Sequence, residues 1–176
     1  MKAKDIAKLE FGDWPIPDVW LAEVGRIAVL WSSLEGHLDI CLGKLAGFDD
    51  VGDFRPFIFL QHSSFPQKLN ALSALCVALS PPFPGLRDYK SVVAQLKGAQ
   101  AGRNRFVHGG LVLNEETGQV ELAHGTARGE IRTSVEVIQL SDVKRVSADI
   151  HVAMLSLHAL TTGQKYSPMW ERADSK

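Results

Sequence analysis

The chain has 176 residues, of which 45% are hydrophobic and 22% are charged, and its formal net charge is −1. This composition excludes an intrinsically disordered chain, a collagen-like chain and a disulfide-rich mini-protein. The near-neutral charge also excludes a nucleic-acid-binding coat that is basic over its whole surface. We expect one domain with its own hydrophobic core. Because no apolar run reaches about 18 residues and the N-terminus does not resemble a secretory signal, we expect a cytoplasmic protein.

The two cysteines, Cys41 and Cys76, each lie on the apolar stripe of a predicted helix. Reduced thiols in the core are the expected state, and one disulfide or a reactive thiol are the alternatives. The histidines near them do not have the spacing of a zinc motif. No metal and no other cofactor is therefore predicted.

The first predicted segment is an N-terminal arm over residues 1–16, which Pro15 and Pro17 separate from the rest, because proline breaks a helix. A long helix is expected to begin at Asp18, which would be its N-cap, and to end near Gly47. Its apolar stripe recurs at helical spacing. The stripe consists of Val24, Ile27, Trp31, Leu34, Leu38, Cys41 and Leu45.

Two further long helices are predicted before residue 109. Residues 54–60 are apolar and contain Pro56, so they fit either a short helix or a packed loop. The second long helix begins near Ser64 and ends at the prolines from Pro81 onward. The third extends from about Gly85 to His108. The two stripes consist of Leu69, Leu72, Cys76 and Leu79, and of Leu86, Tyr89, Val93, Leu96, Ala99 and Phe106.

Glycines at two positions of the third helix are unusual, because glycine costs about 1 kcal/mol in a helix interior. Gly98 and Gly102 lie one turn apart, which predicts either a close approach of another helix or a bend. At Gly109 and Gly110 the helix is expected to stop.

The hydrophobic period changes after these glycines, and residues 111–140 are predicted to form a β insert. A hairpin of 111–113 and 119–122 is followed by a third strand over 131–137. Ser141 and Asp142 then cap a last helix over 141–163, and residues 164–176 are expected to be a mobile tail. The predicted fold is a mainly α, up-and-down helical bundle, with a three-helix part over 17–108 and a small antiparallel β insert before the last helix.

Residues 84–108 are the one strongly positive stretch, with five basic residues and one acidic residue. A solvated helix face is one explanation, and an anion site is the other. Asn104 and His108 are four residues apart and share a helix face. Arg103 lies about 140° around the helix from His108, an angle that a long side chain at a helix end can cover. We therefore expect a guanidinium, an amide and an imidazole to converge on one surface patch.

These three groups suit phosphodiester chemistry. An arginine fork holds a phosphate and stabilises developing negative charge, while a histidine takes and gives a proton near neutral pH. In RNA cleavage the attacking group is the neighbouring 2′-hydroxyl, so a base, an acid and an anion clamp suffice without a metal.

The segment Arg103-Asn104-Arg105-Phe106-Val107-His108 resembles the motif of the HEPN superfamily (higher eukaryotes and prokaryotes nucleotide-binding). That motif is an Arg, a polar residue that is often Asn, and a His four to six residues after the Arg. The family is a helical bundle, and many of its members are metal-independent endoribonucleases that act as dimers with both motifs lining one cleft. The resemblance implies that Arg103 and His108 are catalytic and that Asn104 supports them.

Several expectations accompany this resemblance. Arg105, Lys97 and Lys68 are the predicted substrate-binding residues, and RNA or a nucleotide is the predicted ligand. A homodimer without membrane contact is expected, in a toxin or phage-defence setting that would bring a cognate antitoxin as partner. Two alternatives stay open: a non-catalytic nucleotide- or RNA-binding module, and a helical interaction protein. The β insert counts against a broad RNA surface, because residues 109–142 contain six acidic and two basic residues.

Overall fold

A computed structural model describes residues 14–48, 50 and 53–172, except for the side chains of 126–128. Most of the predicted N-terminal arm and the last four residues of the predicted tail lie outside this part of the chain. Within it, no helix is long and apolar enough to cross a membrane.

The described residues form a helical bundle with one small sheet. The helices are α1 (Asp18–Leu45), α2 (Arg55–Leu60), α3 (Phe65–Leu79), α4 (Tyr89–Val107), α5 (Leu140–Thr162) and α6 (Met169–Arg172), with a 3-10 helix (Pro84–Asp88) before α4. The strands are β1 (Gly110–Leu113), β2 (Val120–Arg128) and β3 (Glu130–Val137). The predicted mainly α fold, with an antiparallel insert before the last long helix, is confirmed.

The long helix α1 packs against α3, α4 and α5. Five residues of its predicted stripe are buried, whereas Val24 and Leu45 are only partly buried. The predicted N-cap is wrong by one position, because Pro17 precedes the first helical residue and Asp18 makes no capping hydrogen bond. Both cysteines are buried and free, in agreement with the expected core thiols.

Reciprocal hydrogen bonds at the N-terminus, known as capping boxes, begin two of the helices. At α3 the Ser64 N–H donates to Gln67 Oε1 at 2.7 Å, and Ser64 accepts from the backbone in return. At α5 the cap is Gln139, whose N–H donates to Asp142 Oδ2 at 2.9 Å. The predicted cap at Ser141 is therefore displaced, although Asp142 does take part.

Helix α4 is shorter than predicted, because its first turn is the separate 3-10 helix. Of its two unusual glycines, only Gly102 meets another helix. A Cβ added there would lie 3.1 Å and 3.2 Å from the two methyl carbons of Val146 on α5, whereas a Cβ at Gly98 would meet nothing within 4 Å. The predicted close approach therefore belongs to Gly102 alone.

The three strands follow in the order β1-β2-β3, and both pairings are antiparallel. Leu111 of β1 lies opposite Leu122 of β2, which lies opposite Glu136 of β3. Leu122 and Val120 are buried against the helices, but every residue of β3 is exposed. The sheet is therefore anchored at one end and extends outward from the bundle.

The described part of the predicted tail, residues 164–172, contacts α5. The backbone N–H of Met169 donates to His151 Nε2 at 3.2 Å, and the Trp170 ring meets the His151 ring edge-on at 5.4 Å. Nearby, His37 and His158 stack at 5.6 Å between ring centres. Burial lowers the pKa of His37, and the charge of His158 lowers it further. Burial likewise lowers the pKa of His151, and the charge of Arg172 adds to this effect.

Alanine substitutions at the two glycines of α4 should have opposite effects. Gly98→Ala should raise the free energy of unfolding by about 1 kcal/mol, because alanine is the better helix former and has room. Gly102→Ala should lower it by about 1–3 kcal/mol, because Val146 has to move in a packed interface. Urea unfolding of both variants tests this pair, and a stabilising Gly102→Ala would contradict the close approach.

Stability should fall between pH 7 and pH 5. Because the pKa values of His37 and His151 are lowered in the folded state, the unfolded chain binds protons first as the pH falls below about 6.5. The stability that these neutral rings contribute is complete above that pH and is lost below it. His151→Gln keeps an acceptor for the Met169 N–H but does not titrate. The variant should therefore lose less stability than wild type between pH 7 and pH 5. Equal losses in wild type and variant, measured by urea unfolding, would contradict this.

Candidate functional site

The candidate site lies at the C-terminal end of α4, where the helix meets the sheet. His108 is the C-cap residue, and its backbone N–H donates to the Asn104 carbonyl at 3.1 Å. The chain then passes through Gly109 into β1. Because the helix ends at this residue, the imidazole of His108 is exposed at the surface.

The three side chains of the motif are in direct contact. Arg103 Nη1 donates to Asn104 Oδ1 at 3.0 Å and lies 2.9 Å from His108 Nε2. The convergence that the residue spacing predicts is therefore present. We call these three residues the motif cluster.

Trp31 of α1 forms the floor beneath the guanidinium. The Arg103 Cζ lies 5.7 Å from the centre of the Trp31 ring, which is itself buried against the Phe65 ring at 4.6 Å. A cation above an indole face is stabilised by about 0.5–2 kcal/mol. Sequence reasoning placed Trp31 in the core stripe and missed its contact with Arg103, which depends on how α1 and α4 pack.

One edge of the Arg103 guanidinium has no partner. The Nη1 donors bind within the motif cluster, whereas Nε is buried without a hydrogen bond and Nη2 has no partner among the described residues. Nη2 is therefore the donor that an oxyanion from solvent can reach, because Nε is inaccessible. A buried donor without an acceptor, as Nε is here, costs about 1–3 kcal/mol.

The contact between Arg103 and His108 fixes the tautomer of the imidazole. A guanidinium has only donors, so His108 Nε2 has to be the acceptor. The neutral ring then carries its proton on Nδ1. Taking a second proton on Nε2 requires that Arg103 Nη1 leave this position.

Arg105, a predicted substrate-binding residue, is bound to the sheet instead. Its Nη2 lies 3.0 Å from Glu136 Oε1 of β3, and its Nε donates to the same oxygen at 3.1 Å. His124 of β2 lies 3.8 Å from that oxygen as well. The side chains of Arg105 and Glu136 are both about half exposed. The Glu136 carboxylate therefore compensates the charge of Arg105 without burying it.

The two predicted lysines lie in different surroundings. Lys97 is exposed and lies seven residues, about two turns, before Asn104, so both share a face of α4. Lys68 is only 7% exposed and forms an ion pair with Asp39 of α1 at 2.7 Å. Lys68 is thus engaged by Asp39, whereas Lys97 is the accessible cation of the two.

Among the described residues, neither a group of metal ligands nor the cavity between α1, α3 and α5 coincides with the motif cluster. In residues 14–48, 50 and 53–172 no three His, Cys, Asp or Glu side chains are placed to hold a metal ion. A cavity of about 560 Å³ lies between α1, α3 and α5, and none of its lining residues belongs to the cluster. The motif cluster therefore lies outside this cavity, with Asn104 and His108 exposed.

Comparison of the chain with protein families, with curated proteins and with solved structures finds no match. The resemblance to the HEPN superfamily therefore rests on the motif and on the helical outline.

The junction between α4 and β1 should tolerate alanine at one glycine but not at its neighbour. A Cβ at Gly109 would lie 2.5 Å from the Arg105 carbonyl oxygen and 2.7 Å from a methyl carbon of Leu122, whereas one at Gly110 would meet only an oxygen at 4.0 Å. Gly109→Ala should lower the free energy of unfolding by about 2 kcal/mol or more, because a backbone oxygen cannot yield like a side chain.

Gly110→Ala is the matched control and should change that free energy by less than about 0.5 kcal/mol. Thermal or urea unfolding compares the two. Equal effects would contradict the close contact at Gly109.

Proposed function

We propose that this protein is a metal-independent endoribonuclease of the HEPN kind, cytoplasmic and dimeric, with Arg103 and His108 as its catalytic residues. The observation that carries the proposal is the 2.9 Å contact between Arg103 Nη1 and His108 Nε2. It joins a permanent cation to a titratable ring on an exposed surface. Asn104 is the supporting residue, since its side-chain oxygen shares the Nη1 donors.

The phosphate is bound first in this proposal. Its non-bridging oxygens take the unpartnered Nη2 donors of Arg103, and they also attract Nη1 away from His108. The bound phosphate thereby frees the lone pair of His108 Nε2. Fixed donors at the site of developing negative charge are a large source of rate enhancement.

The chemical step then needs only a base and an acid. His108 Nε2 takes the proton of the 2′-hydroxyl, the 2′-oxygen attacks phosphorus, and the bond from phosphorus to the 5′-oxygen breaks. The departing 5′-oxygen receives a proton from the imidazolium of His108 in a second copy of the chain. The products are a 2′,3′-cyclic phosphate and a 5′-hydroxyl. Lys97, on the same face of α4, is the residue positioned to bind a neighbouring phosphate.

The charge around the motif cluster favours a narrow contact with RNA. Glu136 compensates Arg105, and the β insert is acidic as a whole. Few phosphates would therefore be bound, so the salt dependence of affinity should be shallow. Such a contact suits cleavage of an exposed loop, and in a toxin or phage-defence setting a cognate antitoxin would restrain the activity.

Cleavage of RNA in EDTA tests the proposal. Wild type should generate 2′,3′-cyclic phosphate ends, and His108→Ala should reduce the rate at least about 100-fold, as loss of a general acid–base group does. Arg103→Ala should have a similar effect. Arg103→Lys, which keeps the charge but loses the fork, should recover little activity.

His62→Ala is the matched control, because His62 is an exposed histidine at the start of α3, outside the motif cluster. Its rate should equal that of wild type. If wild type cleaves no faster than His108→Ala, the nuclease proposal is wrong. Saturable RNA or nucleotide binding that Arg103→Ala abolishes, without turnover, would then identify a non-catalytic binding module.

A further inference from the structure

Strand β3 has an unusual apolar outer face. Ile131, Val135 and Val137 are 83%, 62% and 49% exposed, and Val112 of β1, in line with Val137 across the sheet, is 47% exposed. These side chains point away from the buried face that contains Leu122. β3 is also an edge strand of the described sheet, because among residues 14–48, 50 and 53–172 its one partner strand is β2.

The backbone of β3 leaves alternate residues unpaired along this edge. The Ile138 N–H donates to the Val120 carbonyl at 3.1 Å, so the even-numbered residues bond to β2. Hydrogen-bonding direction alternates along an antiparallel strand. The N–H and C=O groups of residues 131, 133, 135 and 137 therefore point to the open edge, where an added strand would find them.

The sequence of β3 is complementary to itself in one antiparallel register. With Ser134 on a two-fold axis, Thr133 lies opposite Val135 of a second copy, and Ile131 lies opposite its Val137. Residues 131, 133, 135 and 137, whose backbone groups point to the open edge, then each exchange hydrogen bonds with one of the same four residues in the other copy. On the other face, Arg132, which also pairs with Glu130 of its own strand, lies opposite Glu136 of the second copy, and the symmetry makes this contact twice.

Neighbouring registers lack this agreement. A shift that places Ile131 opposite Val135 also places Glu130 opposite Glu136, and like charges directly opposite each other are destabilising. The shift in the other direction places Ser134 opposite Glu136 and leaves no pair of opposite charges. Charge therefore selects the register that is centred on Ser134.

We propose that β3 is the dimer interface of this protein, where two copies pair edge to edge and form one six-stranded sheet. The occupant of the edge is thus a second copy of the chain. The dimer would be a weak one, since a single pair of strands forms a small interface. Glu136 also binds Arg105, so the interface reaches the residue that follows Asn104 of the motif cluster. This proposal does not depend on RNA cleavage, because oligomeric state is measured without RNA.

Sedimentation velocity over a range of protein concentrations tests the interface. Wild type should be a dimer that dissociates on dilution. Val135→Pro removes one outward N–H and leaves the bonds to β2 intact, so it should raise the dissociation constant at least tenfold. Val135→Thr keeps that N–H and is the matched control. Circular dichroism verifies that both variants are folded.

A charge exchange gives the sharper test. Arg132→Glu alone and Glu136→Arg alone each place like charges opposite each other twice, so each should raise the dissociation constant at least tenfold. An equimolar mixture of the two variants pairs Glu with Arg at both positions and should form heterodimers. The double variant R132E/E136R should dimerise like wild type.

Rescue in the mixture and in the double variant would establish the edge pairing. A wild type that stays monomeric at all concentrations would overturn it and leave the edge to a strand of another protein. A dimer that is indifferent to Val135→Pro and to both charge variants would overturn it as well, since the contact would then lie elsewhere. His108→Ala should dimerise normally, so failure of the nuclease proposal would be visible separately.

Discussion

The position of the Arg103 guanidinium above Trp31 is the contact on which the site depends. Trp31 is buried in α1 and packs against Phe65 of α3, so its ring is held by the hydrophobic core. On the other side of α4, Gly102 brings the backbone close to Val146 of α5. The last turn of α4 is thereby fixed between two helices. The long and otherwise flexible side chain of Arg103 then contacts His108 in one orientation.

The sheet is coupled to this helix end through a single glycine. Gly109 leaves room for the Arg105 carbonyl and for Leu122, so β2 lies close against the end of α4. The ion pair of Arg105 with Glu136 adds a second link, from the motif segment to β3. The β insert, which separates α4 from α5 in sequence, thus lies beside the motif cluster. Its charge therefore affects what the cluster can bind.

The sequence predicted the features that depend on local spacing. The period of the apolar residues placed the long helices, and the distance of four or five residues between Arg103, Asn104 and His108 predicted their convergence. Contacts between distant segments were missed. The pairing of Lys68 with Asp39 and of Arg105 with Glu136 depends on how elements pack, and no periodicity encodes it. The contact of Met169 with His151 was missed for the same reason, since it joins residues on two different elements.

The geometry of the motif cluster makes anion binding and proton transfer depend on each other. Without an anion, Arg103 occupies the lone pair of His108 Nε2, and a proton on that atom would face a guanidinium. An anion that binds the Nη2 donors changes this, because it attracts Nη1 away from His108 and places negative charge beside the ring. An imidazolium is then adjacent to a phosphate rather than to an uncompensated cation. The ring would gain its function as a base only where a phosphate is already bound, and this dependence would keep an exposed histidine from acting on a hydroxyl that has no phosphate beside it.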